Sequence, residues 1–257
     1  MLRRLTPPRL LMATLMWLAS WYSSVPQSAL ASAERETHFA LLIFSKTAGY
    51  RHESIPAGIA AIRALGVEHH IEVDATEAAS TFTDADLMKY RVVVFLNTTG
   101  AVLDPDQHAA LERFVRRGGG FVGIHSATDT EYEWPWYGKL VGAYFLKHPP
   151  IQSATLEVVN ASHPSTRHLP ARWTRTDEWY NFRGPPGAAV DVLLRIDENS
   201  YRGGSMGQNH PMAWCHAFDG GRAWYTALGH TVAGYGDALF LRHLWGGIVW
   251  AAAMPSE

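Results

Sequence analysis

The first half of the chain alternates between continuous apolar runs and amphipathic stretches. Runs at 38–44, 91–96 and 120–124 show no apolar–polar alternation, which is typical of strands buried on both faces of a sheet. Amphipathic stretches at 54–65 and 104–118 predict helices between these strands, because their apolar residues recur with a helical period. This β-α-β-α-β order predicts an α/β fold with a doubly wound, mostly parallel sheet and helices on both faces.

The second half has a less regular pattern. Residues 126–150 are rich in aromatic and polar side chains and predict a loop-rich segment. A hairpin is predicted over 211–228, because Asp219-Gly220-Gly221 separates two apolar runs. The apolar stretch 238–254 predicts a buried C-terminal helix rather than a membrane segment, since arginine, histidine and glycine interrupt it. Further short strands are expected at 154–159, 173–182 and 192–196.

The first 33 residues have the features of a secretory leader. An arginine-rich start is followed by a short apolar run at 10–18 and by small-x-small sites that end at Ala33. A membrane anchor is the alternative, but serines and a proline break the apolar run before the ~20 residues that a spanning helix needs. We therefore expect a signal peptide at 1–33, one mature domain at 34–257, and export to the periplasm or the extracellular space.

Charge and cysteine content exclude some classes of function. The chain has 22 basic and 24 acidic residues and no basic run, so it lacks the electrostatic footprint of a nucleic-acid-binding protein. Cys215 is the only cysteine, so no internal disulfide can form, and its position in the middle of a predicted strand indicates core packing rather than catalysis.

Histidines follow three of the predicted buried strands. His52, His125 and His230 come shortly after the runs that end at 44, 124 and 228. Ligands of open α/β sheets bind beyond the carboxyl ends of the strands. We therefore expect these imidazoles to converge, with His125 and His230 roughly 3–7 Å apart.

The segment 123–127 occupies the position at which an α/β-hydrolase or an amidotransferase places its nucleophile. The residue at that position is His125, and Ser126 comes one residue too late. Imidazole suits proton transfer or metal ligation better than acyl transfer. Thiol or serine-triad catalysis is therefore not expected.

An acidic and aromatic segment at 177–180 supplies further candidates. If it is a strand, Glu178 and Tyr180 share a face, and Glu178 could be a general base, a metal ligand or a charge at the rim of the site. His148, in one of three His-Pro pairs, closes the aromatic loop nearest His125. Trp134 and Trp136 could stack on a sugar ring, although most of the ten tryptophans must lie in the core.

Six motifs together resemble the ThuA-like (trehalose utilisation) family, and the resemblance covers essentially all of 34–257. In chain order they are GYRHESI at 49–55, GGGFVGIHSA at 118–127, FxxHP at 145–149, DEWY at 177–180, PMAW at 211–214 and LGH at 228–230. The resemblance implies a flavodoxin-like sheet similar to that of class I glutamine amidotransferases. It also implies that His125 replaces the elbow cysteine of those enzymes, and that 227–230 corresponds to the strand end that presents their partner histidine.

The ThuA-like family is associated with trehalose and related disaccharides, including their 3-keto forms. We therefore expect an exported enzyme that hydrolyses, eliminates or isomerises such a sugar. A non-catalytic carbohydrate-binding protein and an accessory subunit of a periplasmic sugar-oxidation pathway are the alternatives. The partner is a small carbohydrate, with no nucleic acid and no membrane after leader cleavage, and a homo-oligomer is left open.

The residues assigned to the expected site fall into three groups. The catalytic residues are His125, His230 and Glu178, and the same three are the ligands if a divalent metal such as zinc is bound. A metal-free acid–base pair is the alternative to that metal. The substrate-binding residues are His52, Trp134, Trp136, His148 and Tyr180.

Overall fold

The computed structural model describes residues 39–253, so the predicted leader at 1–33 lies outside the described residues. The strands are β1 Ala40–Phe44, β2 Glu72–Thr76, β3 Val92–Leu96, β4 Gly120–Ile124, β5 Phe145–Lys147, β6 Gln152–Val158, β7 Arg172–Asp177, β8 Asn181–Phe182, β9 Asp191–Ile196, β10 Pro211–Phe218 and β11 Gly221–Thr226. The α-helices are α1 Ile55–Glu68, α2 Asp84–Leu87, α3 Pro105–Arg116, α4 Pro135–Val141 and α5 Ala238–Ala251.

One half of the central sheet is parallel, as the uninterrupted apolar runs predict. The order is β2-β1-β3-β4-β11, and each of these neighbours pairs in parallel. Adjacent residues of a strand point to opposite faces. Phe95 of β3 packs against Tyr137 of α4, whereas the next residue, Leu96, approaches Gly58 of α1. Helices therefore cover both faces, and the predicted fold class is confirmed.

The other half of the sheet is antiparallel. It continues from β11 in the order β10-β9-β6-β7, and each strand runs opposite to its neighbour. Two reversals restore the original direction, so β9 and β7 run the same way as β1, and seven of the nine strands share one direction. The predicted β10–β11 hairpin is confirmed. Its turn has φ values of 47° at Asp219 and 95° at Gly220, which are the positive values that a tight two-residue hairpin turn requires.

In the middle of the chain, the predicted loop-rich segment contains two short regular elements, and the extent predicted for one strand was wrong. The segment predicted to be loop-rich contains α4, which begins at Pro135 and ends at Val141 before Gly142, where φ is 94°, together with the short strand β5. The strand predicted over 173–182 ends at Asp177. There the chain leaves the main sheet, because the indole of Trp179 turns inward and donates to the carbonyl of Gln152 at 2.8 Å. The strand β8 begins two residues after Trp179, and it pairs with β5.

The C-terminal helix α5 lies in the core, as expected. A Cβ on Gly247 would stand 2.4 Å from the ring of Trp224, so glycine is what allows the helix to approach the sheet so closely. Within residues 39–253, no helix combines the length and the apolar character that a membrane crossing requires. Cys215 is buried in the core, as its position in the middle of β10 predicts.

Candidate active site and metal centre

His125 lies in a sharp turn at the carboxyl end of β4. Its φ is 51°, an uncommon left-handed conformation of the kind that clusters at functional sites. The side chain is fully buried, and its Nδ1 lies 2.8 Å from the carbonyl oxygen of Ala227. A carbonyl only accepts, so Nδ1 carries the proton and the lone pair of the neutral ring is on Nε2.

That lone pair points at the two other residues of the predicted catalytic set. Nε2 of His125 lies 3.1 Å from Nδ1 of His230 and 3.4 Å from Oε2 of Glu178. Nδ1 of His230 lies 3.1 Å from the same Oε2. The predicted proximity of His125 and His230 is therefore confirmed, and Glu178 completes a triangle of ligand-type atoms.

His52 approaches this triangle from the loop after β1. The ligand atoms of His52, His125, Glu178 and His230 all lie within 4.8 Å of one another, and we call these four residues the histidine cluster. The ring of His52 meets those of His125 and His230 edge to face, at centroid distances of 4.8 and 5.0 Å. Burial first, and then the neighbouring His125 and His230, lower the pKa of His52 to about 3. The ring is thus neutral at physiological pH and keeps a free lone pair.

Glu178 is the only acid of the histidine cluster. Burial alone would raise the pKa of its carboxyl group, but the hydrogen bonds and charges of His125 and His230 outweigh burial and lower this pKa to about 2. Its other oxygen, Oε1, lies 2.9 Å from Nδ1 of His148, whose side chain is 42% exposed. His148 therefore connects the buried carboxylate to solvent.

Asp177 positions two members of the histidine cluster, although the sequence analysis assigned it no role in the site. Its carboxylate is fully buried. Oδ1 accepts from the backbone N–H groups of Glu178 and His230 at 3.0 and 3.2 Å. Oδ2 accepts from the backbone N–H of Gly229 and from Nη2 of Arg175 at 3.1 and 3.2 Å. One carboxylate thus joins the end of β7 to the turn after β11.

The carbonyl of Gly229 is held from the other side by two further buried residues, Ser54 and Asn97. It accepts from Oγ of Ser54 at 3.1 Å and from Nδ2 of Asn97 at 3.3 Å. Nδ2 of Asn97 also donates to Oγ of Ser54 at 2.9 Å. Asn97 directly follows the buried strand β3, whereas Ser54 directly precedes α1.

The predicted substrate-binding residues divide into two groups. His52 is a member of the histidine cluster. Tyr180 and His148 adjoin it, since the ring of Tyr180 lies against His125 at a centroid distance of 4.2 Å and His148 contacts Glu178. Trp134 and Trp136 do not. Trp136 donates to Asp219 in the turn before β11, at the opposite end of that strand from His230. Trp134 stacks between His108 and Trp136 at 3.7 and 5.1 Å. The prediction for these two tryptophans is corrected, because they pack along the side of the domain.

Comparison with known proteins agrees with this architecture. A family model described as ThuA, trehalose utilisation, matches residues 40–251. The fold is similar to that of a putative ThuA-like protein from Bacteroides uniformis ATCC 8492, with 24% identity, 83% of this chain and 91% of that chain covered, and a TM-score of 0.72. A putative ThuA-like protein from Parabacteroides merdae ATCC 43184 is similar at 20% identity, 85% and 92% coverage and a TM-score of 0.72.

The fold also matches part of a larger enzyme. A β-galactosidase from Bacillus circulans sp. alkalophilus is similar at 15% identity and a TM-score of 0.57, with 85% of this chain but only 32% of that chain covered. No curated protein sequence matches the chain significantly. At these identities the structural likenesses establish the fold alone.

Proposed function

The chain belongs to the ThuA family, which is described by trehalose utilisation, and from this premise and the geometry of the histidine cluster we propose that it is a carbohydrate-processing enzyme. Its proposed substrates are trehalose-like disaccharides or their 3-keto derivatives, and its reaction is a hydrolysis, an elimination or an isomerisation. We propose that no cysteine or serine nucleophile is involved, since burial raises the pKa of the Cys215 thiol to about 12, and the residue at the nucleophile position after β4 is His125 rather than serine. We also propose that residues 1–33 direct export of the protein and are then removed.

We further propose that His125, His230 and Glu178 bind a divalent metal such as zinc. The observation that carries this proposal is the triangle of 3.1, 3.1 and 3.4 Å between their ligand atoms. A tetrahedral zinc site with bonds of about 2.0–2.1 Å has ligand-to-ligand separations of about 3.3–3.4 Å. The hydrogen bond from His125 to Ala227 is of the kind that fixes the tautomer of a metal-binding histidine.

A three-ligand site leaves a fourth position, which in catalytic zinc centres takes water or substrate. With the carbonyl oxygen of a 3-keto sugar in that position, a metal would polarise the carbonyl and so acidify the neighbouring C–H group. His52 and His148 are the imidazoles outside the proposed ligand set. In an elimination, one of them accepts the proton when that C–H bond breaks, and a proton returns to the glycosidic oxygen as it leaves.

The test combines metal analysis with product analysis on the mature protein. Wild-type protein should hold one equivalent of metal and turn over trehalose or 3-ketotrehalose. His230→Ala and Glu178→Gln should remain folded but lose the metal and the activity. Glu68→Gln, at an exposed position of α1, is the matched control and should keep both.

Each other outcome decides between the alternatives. If wild-type protein neither contains nor takes up metal but Glu178→Gln abolishes turnover, the metal-free acid–base mechanism replaces the metal. If the sugars bind and no product forms, the protein is a carbohydrate-binding protein. Full metal content and activity in both variants would place the site elsewhere.

A further inference from the structure

A second carboxyl group lies one short turn of backbone away from the histidine cluster. Asp129 ends the 3₁₀ turn that His125 begins. A 3₁₀ helix rises about 2 Å per residue, so the Cα atoms of these two residues are roughly 8 Å apart or less. The backbone carbonyl of Asp129 accepts from the N–H of Gly100, in the loop after β3, at 2.8 Å. Asp129 therefore lies at the carboxyl edge of the sheet, as the cluster does.

A continuous series of contacts links the carboxyl group of Asp129 to the cluster. Its Oδ1 accepts from the hydroxyl of Tyr132 at 2.6 Å, and the same hydroxyl lies 3.1 Å from the carbonyl oxygen of Phe145. The ring of Phe145 packs on that of Tyr180 at 4.3 Å, and the ring of Tyr180 packs on His125 at 4.2 Å. The carboxyl group is thus held by the same aromatic residues that support His125.

The charged groups around Asp129 belong to the site as well. Burial raises the pKa of its carboxyl group above the ordinary value, although the hydrogen bond from Tyr132 opposes this. The positive charges of His125, Arg183 and His148 also oppose it and lower the pKa. Charges in water are largely screened beyond about 10 Å, so these interactions place the carboxyl group near the imidazoles of His125 and His148.

The contact between Asp129 and Tyr132 keeps a hydrogen bond in either protonation state of the carboxyl group. An ionised carboxylate accepts from the phenol. A protonated carboxyl group can donate to the phenol oxygen, because the phenol can then turn its own proton to the carbonyl of Phe145. Asp129 is only partly buried, and within residues 39–253 its other oxygen, Oδ2, accepts no hydrogen bond. Asp129 can therefore gain or release a proton without leaving a buried group unpaired.

We propose that Asp129 is the general acid that protonates the glycosidic oxygen of the leaving sugar. The inference rests on the proposed function and specifies it as cleavage of a glycosidic bond. In an elimination from a 3-keto sugar, an imidazole of the site takes the proton, and the electrons of the broken C–H bond form the new C=C bond. The electron pair of the broken C–O bond goes to the glycosidic oxygen, which takes the proton of Asp129 and leaves as an alcohol. Exchange with water then moves the proton of the imidazolium back to the carboxylate, so the enzyme is restored.

The two carboxyl groups of the site have environments that suit different roles. The pKa of Glu178 is lowered to about 2, so this group is ionised and has no proton to give. Burial moves the pKa of Asp129 in the opposite direction. A substrate that covers Oδ2 excludes water from it and raises that pKa further. Environments that push two carboxyl groups apart in this way assign the acid to the group with the raised pKa.

The first test compares two substrates that differ in whether the leaving group needs a proton. Mature wild-type protein and Asp129→Asn are assayed with 3-ketotrehalose and with 4-nitrophenyl 3-keto-α-D-glucopyranoside, whose 4-nitrophenolate leaves without protonation. In Asp129→Asn, kcat should fall by about 10²–10⁴-fold on 3-ketotrehalose but by less than about ten-fold on the nitrophenyl compound. The variant should keep its fold and its bound metal. Asp106→Asn, at an exposed position of α3, is the isosteric control and should change neither rate.

A pH profile supplies a second test that leaves Asp129 itself in place. A general acid acts while it is protonated, so kcat on 3-ketotrehalose should fall as the pH rises through the pKa of Asp129. Arg183 is exposed, and its charge lowers that pKa. Arg183→Gln should therefore move the fall in kcat to higher pH with 3-ketotrehalose. The pH profile with the nitrophenyl compound should not move.

Failure of this inference can be distinguished from failure of the proposed function. Equal losses of kcat on both substrates in Asp129→Asn, or no loss on either, would overturn the general acid and leave the enzyme standing. Isomerisation of 3-ketotrehalose by wild-type protein without release of glucose would also overturn it, because no leaving group is then protonated. If wild-type protein converts neither compound, the proposed function fails and this inference fails with it.

Discussion

Replacement of Asp177 by asparagine tests whether this carboxylate holds the site together. The substitution keeps the shape of the side chain and exchanges one acceptor oxygen for an NH₂ donor. Each oxygen of Asp177 accepts two hydrogen bonds, Oδ1 from Glu178 and His230 and Oδ2 from Gly229 and Arg175. Whichever way the amide is oriented, two donors then face a third.

The energetic consequence follows from the lost bonds and from the buried charge. Two hydrogen bonds to an ionised acceptor contribute about 1.5–3 kcal/mol each. The guanidinium of Arg175 is 8% exposed and would retain only Asp237, at 3.7 Å, as a counterion. Loss of one partner of a buried pair typically costs about 3–5 kcal/mol, so we expect Asp177→Asn to destabilise the domain by about that amount. For a domain of this size the melting temperature should fall by roughly 6–20 °C.

Urea unfolding and calorimetry of Asp177→Asn measure the loss, and the exposed Asp106→Asn on α3 is the isosteric control. Metal titration supplies the second readout, since the lost bonds anchor either the backbone N–H groups of Glu178 and His230 or that of Gly229, which directly precedes His230. An affinity loss of roughly 10–100-fold is expected for removal of such an outer-shell partner. Wild-type stability together with wild-type metal affinity in Asp177→Asn would refute this account of how the site is positioned.

Three further predictions address stability, processing and the aromatic residues. Burial lowers the pKa of His243 to about 3, so between that value and the unfolded pKa of about 6.5 the unfolded chain binds more protons. The free energy of unfolding should therefore fall as the pH drops below 6.5, and this residue should account for about 2 kcal/mol of that loss at pH 5. Urea titrations at pH 7 and pH 5 measure the difference. An unfolding free energy that is the same at both pH values would contradict the burial argument. Mass spectrometry of exported protein should find an N-terminus near Glu34, whereas retention of Met1 in a membrane fraction would indicate an anchor. Trp136→Phe should leave ligand affinity unchanged, because its indole bonds Asp219 at the far end of β11; a large loss of affinity would return this residue to the site.

The parts of the fold that depend on local pattern could be predicted from the sequence. The apolar runs of β1, β3 and β4 are recognisable because both faces of each strand are buried. The start of α3 is recognisable because Asp104 and Gln107 form reciprocal capping bonds with backbone N–H groups. Each of these sequence signals lies within the strand or helix that it predicts, or within a few residues of it.

The antiparallel half could not be derived in the same way. Pairing of β9 with β6, and of β6 with β7, depends on contacts between distant segments. The sequence of a short strand of mixed polarity does not indicate which other strand it pairs with. The same limit applies to Glu178. Its place in the site depends on the chain leaving β7 at Asp177, and that break is set by the buried indole of Trp179.

The candidate site also contains residues that could be predicted from the sequence and residues that could not. The three strand-end histidines could be predicted because the carboxyl edge of a parallel sheet is a general site of ligand binding. Asp177, Ser54 and Asn97 could not, since the groups they hold are the backbone N–H and carbonyl of Gly229 and its neighbours. Every residue has such groups, so the sequence gives no sign of which ones need a partner.

A count of protons at the centre of the cluster supports a bound cation. Nδ1 of His125 donates to Ala227, so Nε2 is an acceptor in the neutral ring, and the ionised Oε2 of Glu178 also only accepts. Nδ1 of His230 lies 3.1 Å from both atoms, but its single N–H can satisfy only one of them. Two acceptors would then face each other at 3.4 Å with no proton between them. An additional cation would resolve this conflict, either as a proton shared by the cluster or as the proposed divalent metal at its centre. The proposed metal would coordinate all three atoms at once, at separations close to those of a tetrahedral site, whereas one added proton would lie between only two of them.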